Sequence, residues 1–280
     1  MSYLLRPLFC SIFVVSSLLT LAQEPAHPEP GIVFEGNKVF SNQELVRVAN
    51  ECFSKVSPGP KKYEASAVEY CLRDVRRFMF RKGYLRATVG PHREQTEASS
   101  QLVIPVEEGV RYRLGEIRIR GNNVFSSAQL LEMSSLKPGD IADGDAIGVW
   151  LYERTNKAYA NLGYIEYTAE PEPDFRPTPA GASDGVVDLT ITIEEGKVVI
   201  VRSIKFEGNV NIPADVLKRE LLVVAGDVFS RERFEESVKR LNELKLFEKI
   251  DPDKDVEYRS NRESPQLDII IRVKNRANEL

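Results

Sequence analysis

Histidine, tryptophan and cysteine are scarce in this chain of 280 residues, which holds two His, one Trp and three Cys. His27 sits in a Pro-rich stretch and His92 follows Pro91. Neither belongs to a His, Cys or carboxylate cluster with metal-ligand spacing, so no metal site is expected. No glycine-rich run leads into a helix carrying Lys and Ser or Thr, which removes a phosphate loop. No nucleophile and base can be paired from spacing. The chain is therefore expected to be no enzyme and to need no cofactor. A basic tract is also missing, and the net charge is −4, so nucleic acid has no electrostatic footprint. No acidic block marks a charged tail.

Long apolar runs are missing beyond the first residues. Arg6 supplies a positive start, and Leu8 to Leu21 is mostly apolar. Thr20-Leu21-Ala22 ends the run with a small residue at the cut and a tolerable Thr two before it. Its length fits a secretory signal peptide over residues 1–22, with an uncleaved anchor as the alternative. Cys10 lies inside the run with no small residues before it, against a lipid attachment site. Residues 23–30 are a polar, Pro-rich spacer expected to lack structure. Cys52 and Cys71 remain after processing. An exported protein favours their pairing as a disulfide; two separate buried thiols are the alternative.

What the chain does contain is repetition. Gly36-Asn37-Lys38-Val39-Phe40-Ser41 recurs as Gly121-Asn122-Asn123-Val124-Phe125-Ser126, and Gly208-Asn209-Val210-Asn211-Ile212-Pro213 follows. Glu107-Glu108-Gly109 returns as Glu194-Glu195-Gly196, and Gly83-Tyr84 as Gly163-Tyr164. Ordered words at one period mean tandem units. Each is long enough to bury a small core of its own.

The unit reads as strand, helix, helix, strand, strand. Opening strands alternate apolar and polar residues at Gly31–Phe34, Glu116–Arg120 and Arg202–Glu207. Gly-Asn ends each strand. Ser41 with Glu44, and Ser126 with Gln129, form capping boxes for a first helix; Pro213 replaces the serine in unit three. After a Pro-Gly or Gly-Asp break, second helices span residues 65–82, 145–161 and 231–245. Gly83 and Gly163 end two of them in left-handed geometry, and Lys245 stands at that place in the third, where modest strain is expected. The closing pairs are residues 84–89 with 102–106, 164–170 with 186–193, and 247–251 with 267–273. Residues 171–185 read as a solvated loop, the Glu-Glu-Gly words as solvated turns, and residues 110–114 as a short joint. The fold class is α+β: three tandem β-α-α-β-β domains at 31–110, 111–197 and 198–275, each a three-stranded mixed sheet with two helices on one face, then a tail at 276–280.

These words in this order resemble POTRA domains, the polypeptide-transport-associated domains of outer-membrane assembly and translocation proteins of the BamA and TamA type. The resemblance covers about residues 31–275. It implies a periplasmic, outer-membrane-associated place; with no second long apolar run, contact with the membrane is expected only through partners. It implies unfolded outer-membrane or exported polypeptides as partners, with a separate β-barrel or an accessory envelope protein as others. Such domains usually precede a barrel, and no amphipathic barrel strands follow unit three before Leu280, so this is expected to be either a stand-alone three-domain protein or a truncated version of a longer one, and barrel insertion is not expected of these residues. The resemblance places client binding on the sheet edge after the second helix, by strand addition. Carried over, that names Tyr84, Leu85, Arg86 and Ala87; Tyr164, Ile165, Glu166 and Tyr167; and Phe247 and Ile250. Ordinary sheet packing is the alternative for the tyrosines. A structural adaptor that docks folded envelope partners is the alternative function.

Overall fold

The computed structural model describes residues 31–57, 64–91, 93–94, 101–178, 180–208, 212–261 and 264–274. The leader, the spacer, both histidines and half of the third Gly-Asn word (209–211) lie outside the described residues. The described chain forms three sheets, each with its own core.

The first domain runs β1 (Gly31–Glu35), α1 (Asn42–Val56), α2 (Ala65–Arg81), β2 (Thr88–Val89), β3 (Arg93–Glu94) and β4 (Gln101–Glu107). β4 is central, parallel to β1 and antiparallel to β2 and β3. β2 and β3 are two pieces of one broken edge strand. Val89 pairs with Val106 but Arg93 with Val103, so the register slips by one residue between them. The Ser41 side chain accepts from the Glu44 N–H and starts α1. Leu45, Ala49 and Phe53 of α1 and Val68, Leu72, Val75 and Met79 of α2 share the buried face. Cys52 and Cys71 are joined between these helices, with Cα atoms 5.5 Å apart.

The second domain runs β5 (Arg111–Arg120), α3 (Ser127–Ser134), α4 (Gly144–Gly148), a π-helical segment (Val149–Thr155), α5 (Asn156–Asn161), β6 (Thr168–Phe175) and β7 (Asp184–Glu194). The full capping box of Ser126 and Gln129 opens α3. The sheet order is β5-β7-β6. Trp150 is fully buried and its indole N–H donates to the Leu130 carbonyl at 2.8 Å.

The third domain runs β8 (Ile200–Glu207), α6 (Ala214–Lys218), α7 (Arg231–Glu243), β9 (Val256–Asn261) and β10 (Ser264–Arg272), with order β8-β10-β9. Without a capping serine, its first helix shrinks to the single turn of α6 after Pro213.

Several sequence expectations change here. The predicted strand over 84–87 is a tight turn, as is that over 164–167, and the edge strands begin at Thr88 and Thr168. The chain must reverse after each helix-ending glycine before it can extend along the sheet. Phe247 to Asp251 is not the closing strand of unit three; β9 is. Residues 171–175 and 184–185 are strand, so the second hairpin loop is shorter than expected. Residues 111–114 belong to β5 and not to a joint.

Candidate functional site

The repeated words meet one another in space. β1, β5 and β8 each end in a glycine at positive φ: Gly36 (92°), Gly121 (80°) and Gly208 (85°). A Cβ there would lie 2.5, 2.1 and 2.3 Å from the carbonyl oxygens of Val106 and Ile193 on the central strands and of Val273 just past the third. Only glycine permits that approach. The next asparagine holds the turn. Asn37 Nδ2 donates to the Phe40 carbonyl at 2.7 Å, and Asn122 Nδ2 to that of Phe125 at 2.9 Å.

The glutamate before the central strand's terminal glycine then caps this turn from across the sheet. Glu108 accepts from the N–H groups of Lys38, Val39 and Phe40 at 2.8–3.0 Å. It is 5% exposed. Glu195 accepts from the N–H groups of Asn123 (2.7 Å) and Val124 (2.8 Å) and from the Tyr159 hydroxyl (2.8 Å). Burial pushes the Glu195 carboxyl up, but the Val124 N–H, the Tyr159 hydroxyl and Asn123 together hold it below its ordinary range. Burial, with Glu195 beside it, raises the Tyr159 phenol. The expectation of solvated Glu-Glu-Gly turns is therefore corrected: the second glutamate is a structural anchor.

The ten residues named for peptide binding lie on no edge strand. Tyr84, Ala87 and Tyr167 are buried in the cores of their own domains. Leu85 packs against the second domain's core, and Ile165 against the third's. Arg86 carries its guanidinium 5.5 Å above the Phe175 ring of the next domain, a cation–π contact. Tyr164 meets Tyr159 edge to face. Glu166 and Ile165 line a groove toward β9. Phe247 and Ile250 are buried in the third core, and the Asn242 side chain bonds both backbone groups of Ile250.

These turns form a joint that is built twice. The Gly83 carbonyl accepts from the Tyr112 N–H at 2.9 Å, and the Gly163 carbonyl from the Val199 N–H at 3.0 Å. Arg77 of α2 pairs with Asp145 of α4 at 2.5 Å. Lys157 of α5 pairs with Glu235 of α7 at 3.0 Å, and Asn161 accepts from the Glu232 N–H at 2.8 Å. Each joint thus has a backbone bond, an ion pair between second helices and an apolar plug.

The sheet margins differ. In the second and third domains the loop before the second helix pairs with the start of the opening strand. Gly139 and Leu114 bond through their backbones, as do Gly226 and Val201. That margin of β5 and β8 is closed internally at its first half. The opposite margins, along β6 and β9, carry no partner strand among the described residues. The edge strands that follow the second helices begin at Thr88, Thr168 and Val256, after the residues expected to form them. Beside β9, between the second and third domains, lies a cavity of about 390 Å³ lined by Ile165, Phe229, Arg231, Glu235, Val256 and Tyr258. Among the described residues no His, Cys, Asp and Glu cluster could hold a metal, and no helix is long and apolar enough to cross a membrane.

Comparison with known proteins agrees with this architecture. The POTRA family, described as a surface antigen variable number repeat, matches residues 31–109, 112–196 and 199–276. A Treponema pallidum protein named "Putative outer membrane protein assembly factor" is 29% identical over 88% of this chain and 29% of its own length. The outer membrane protein assembly factor BamA of Nitratidesulfovibrio vulgaris is 26% identical over 75% of this chain and 25% of its own. The chain thus spans under a third of either relative. The crystal structure of POTRA domains 3–5 of Haemophilus influenzae BamA shares the fold, with TM-score 0.67 at 24% identity, over 88% of this chain and 95% of that one. This chain belongs to the POTRA family, as three tandem members of it.

Proposed function

We propose that the chain is a non-enzymatic, periplasmic scaffold of outer-membrane protein assembly that holds extended client polypeptides by strand addition. The observation that carries this reading is the unpartnered margin after the second helix, on β6 and β9. An open margin presents backbone N–H and C=O groups that any extended chain can pair with, whatever its sequence. That suits diverse clients. The relatives supply the setting, since they are named as outer membrane assembly factors. The partners are unfolded outer-membrane or exported polypeptides, together with a barrel or accessory envelope protein, and contact with the membrane runs through those partners.

The test is binding of several unrelated, urea-unfolded outer-membrane barrel proteins diluted onto the purified chain. The expected result is capture of each, with suppressed aggregation and competition among them. Failure to capture any would favour the adaptor function, in which only folded partners dock.

A further inference from the structure

The two open margins are not chemically equal. In β6, the Arg176 N–H donates to the Val186 carbonyl at 3.0 Å, in register with the Phe175–Val187 pair. Antiparallel strands alternate residues that bond their partner with residues that face away. Residues 168, 170, 172 and 174 therefore bond β7, and Ala169, Pro171, Pro173 and Phe175 turn their backbone groups away from it. Two of those four have no N–H. Proline is tolerated at these outward places because the ladder does not need the donor, and it leaves a blunted edge. The Arg86 guanidinium also covers the Phe175 end.

β9 is the opposite case. The Asp255 carbonyl accepts from the Arg272 N–H at 2.8 Å, in register with the Val256–Ile271 pair. Glu257 and Arg259 therefore bond β10, and Val256, Tyr258 and Ser260 turn both backbone groups outward. None is proline. These same three residues border the cavity between the second and third domains. In the first domain, β2 is only Thr88–Val89. The open half of β5 carries exposed Glu116, Arg118 and Arg120, which oppose close pairing.

We propose that client strands add to β9, in the groove shared by the second and third domains, and that β6 is closed to them by Pro171 and Pro173. This rests on the strand-addition reading above and assigns it to one margin. The occupant is an extended polypeptide with apolar side chains at alternate positions. Its apolar side chains meet Ile165, Phe229, Val256 and Tyr258, and its backbone meets β9. Arg231 and Glu235 pair with each other at 2.8 Å, so neither charge is left for a client. Because Ile165 comes from one domain and β9 from the next, an occupant also ties the joint.

The test uses the full chain and a short synthetic peptide alternating threonine with valine and phenylalanine. Residue-resolved amide hydrogen exchange is followed with and without peptide. The expected result is slowed exchange at Val256, Tyr258 and Ser260, and none at Ala169. Ser260→Pro removes an outward donor from an exposed residue; it should weaken binding about tenfold, the scale of an unmade hydrogen bond to a fixed partner. Unchanged exchange of the β10 amides would show that this variant is folded. The double variant Pro171→Thr, Pro173→Thr should add a second peptide site on β6. Protection confined to β6, β2 or β8 would overturn the assignment while leaving strand addition intact. Absence of peptide binding would remove both.

Discussion

The Tyr159 hydroxyl donates to Glu195 at 2.8 Å, and the same carboxylate oxygen receives the N–H groups of Asn123 and Val124. One glutamate thus ties the second helix, the Gly-Asn turn and the end of the central strand, one residue before the next joint. Its folded pKa lies below the ordinary value of 4.5. A depressed carboxyl stabilises the fold fully above its unfolded pKa and loses that contribution as pH falls through the folded value. Glu195→Gln should therefore lower the urea midpoint of the second domain near neutrality. In acid the two proteins should converge. Parallel curves at every pH would refute the linkage.

Glu108 makes the stricter case, because it is buried and holds three backbone donors. Glu108→Ala leaves those donors without a partner, a cost of roughly 1–3 kcal/mol. Glu108→Gln keeps an acceptor oxygen and should cost less. Thermal unfolding of the first domain, followed by exchange at the Lys38–Phe40 amides, measures the difference.

Much of this architecture is legible in the sequence, for local reasons. Asn37 and Ser41 act within a few residues of their partners, so their spacing reports their geometry. Glu108 acts on residues almost a full repeat away, and nothing local to Glu107-Glu108-Gly109 distinguishes a capping carboxylate from a solvated one. The edge strands were misplaced for two physical reasons. Tyr84–Ala87 and Tyr164–Tyr167 have the aromatic and aliphatic content of strands, but their burial serves the turn and the joint. β6 is disguised by Pro171 and Pro173, which normally demote a strand and here only strip its outer face. β9 reads as polar, and the apolar Phe247 and Ile250 upstream drew the assignment away from it.

The helix-ending corner offers a gain of stability. Gly83 and Gly163 turn at φ 86° and 89°, and Lys245 holds φ 57° at the same place in the third domain. A residue with a Cβ is disfavoured in that region by about 1–2 kcal/mol, part of which glycine returns through its freer unfolded chain. Lys245→Gly should therefore raise the stability of the third domain by about 0.5–1 kcal/mol. In contrast, Gly121→Ala should cost more than about 1 kcal/mol, since its Cβ would meet the Ile193 oxygen at 2.1 Å. Gly139→Ala, with positive φ but open space, should fall between them. Chemical denaturation of the three variants tests the order.

The disulfide acts on one domain alone. Cys52 and Cys71 close a loop of 19 residues' separation between α1 and α2. A loop of that length is worth roughly 3 kcal/mol. Mild reduction should lower the melting temperature of the first domain and leave the exchange of β7 and β10 amides unchanged. A uniform loss across all three domains would show instead that the joints transmit the damage.

The joints carry both charge and apolar contact, and the two are unequal. Lys157 is half exposed where it meets Glu235, and such pairs contribute about 0–1 kcal/mol. Ile165 is partly buried against the third core. Removing most of its side chain forfeits a good part of the roughly 1.5–3 kcal/mol that full burial of an isoleucine supplies. Ile165→Ala should therefore broaden the distance distribution between spin labels placed on α3 and on the exposed face of α7, while Lys157→Ala should barely alter it. The Ile165 variant should also weaken the alternating peptide, since the same side chain walls the β9 groove. Broadening by the lysine variant alone would place control of the joint in its ion pair, and peptide binding would then fall steeply with added salt.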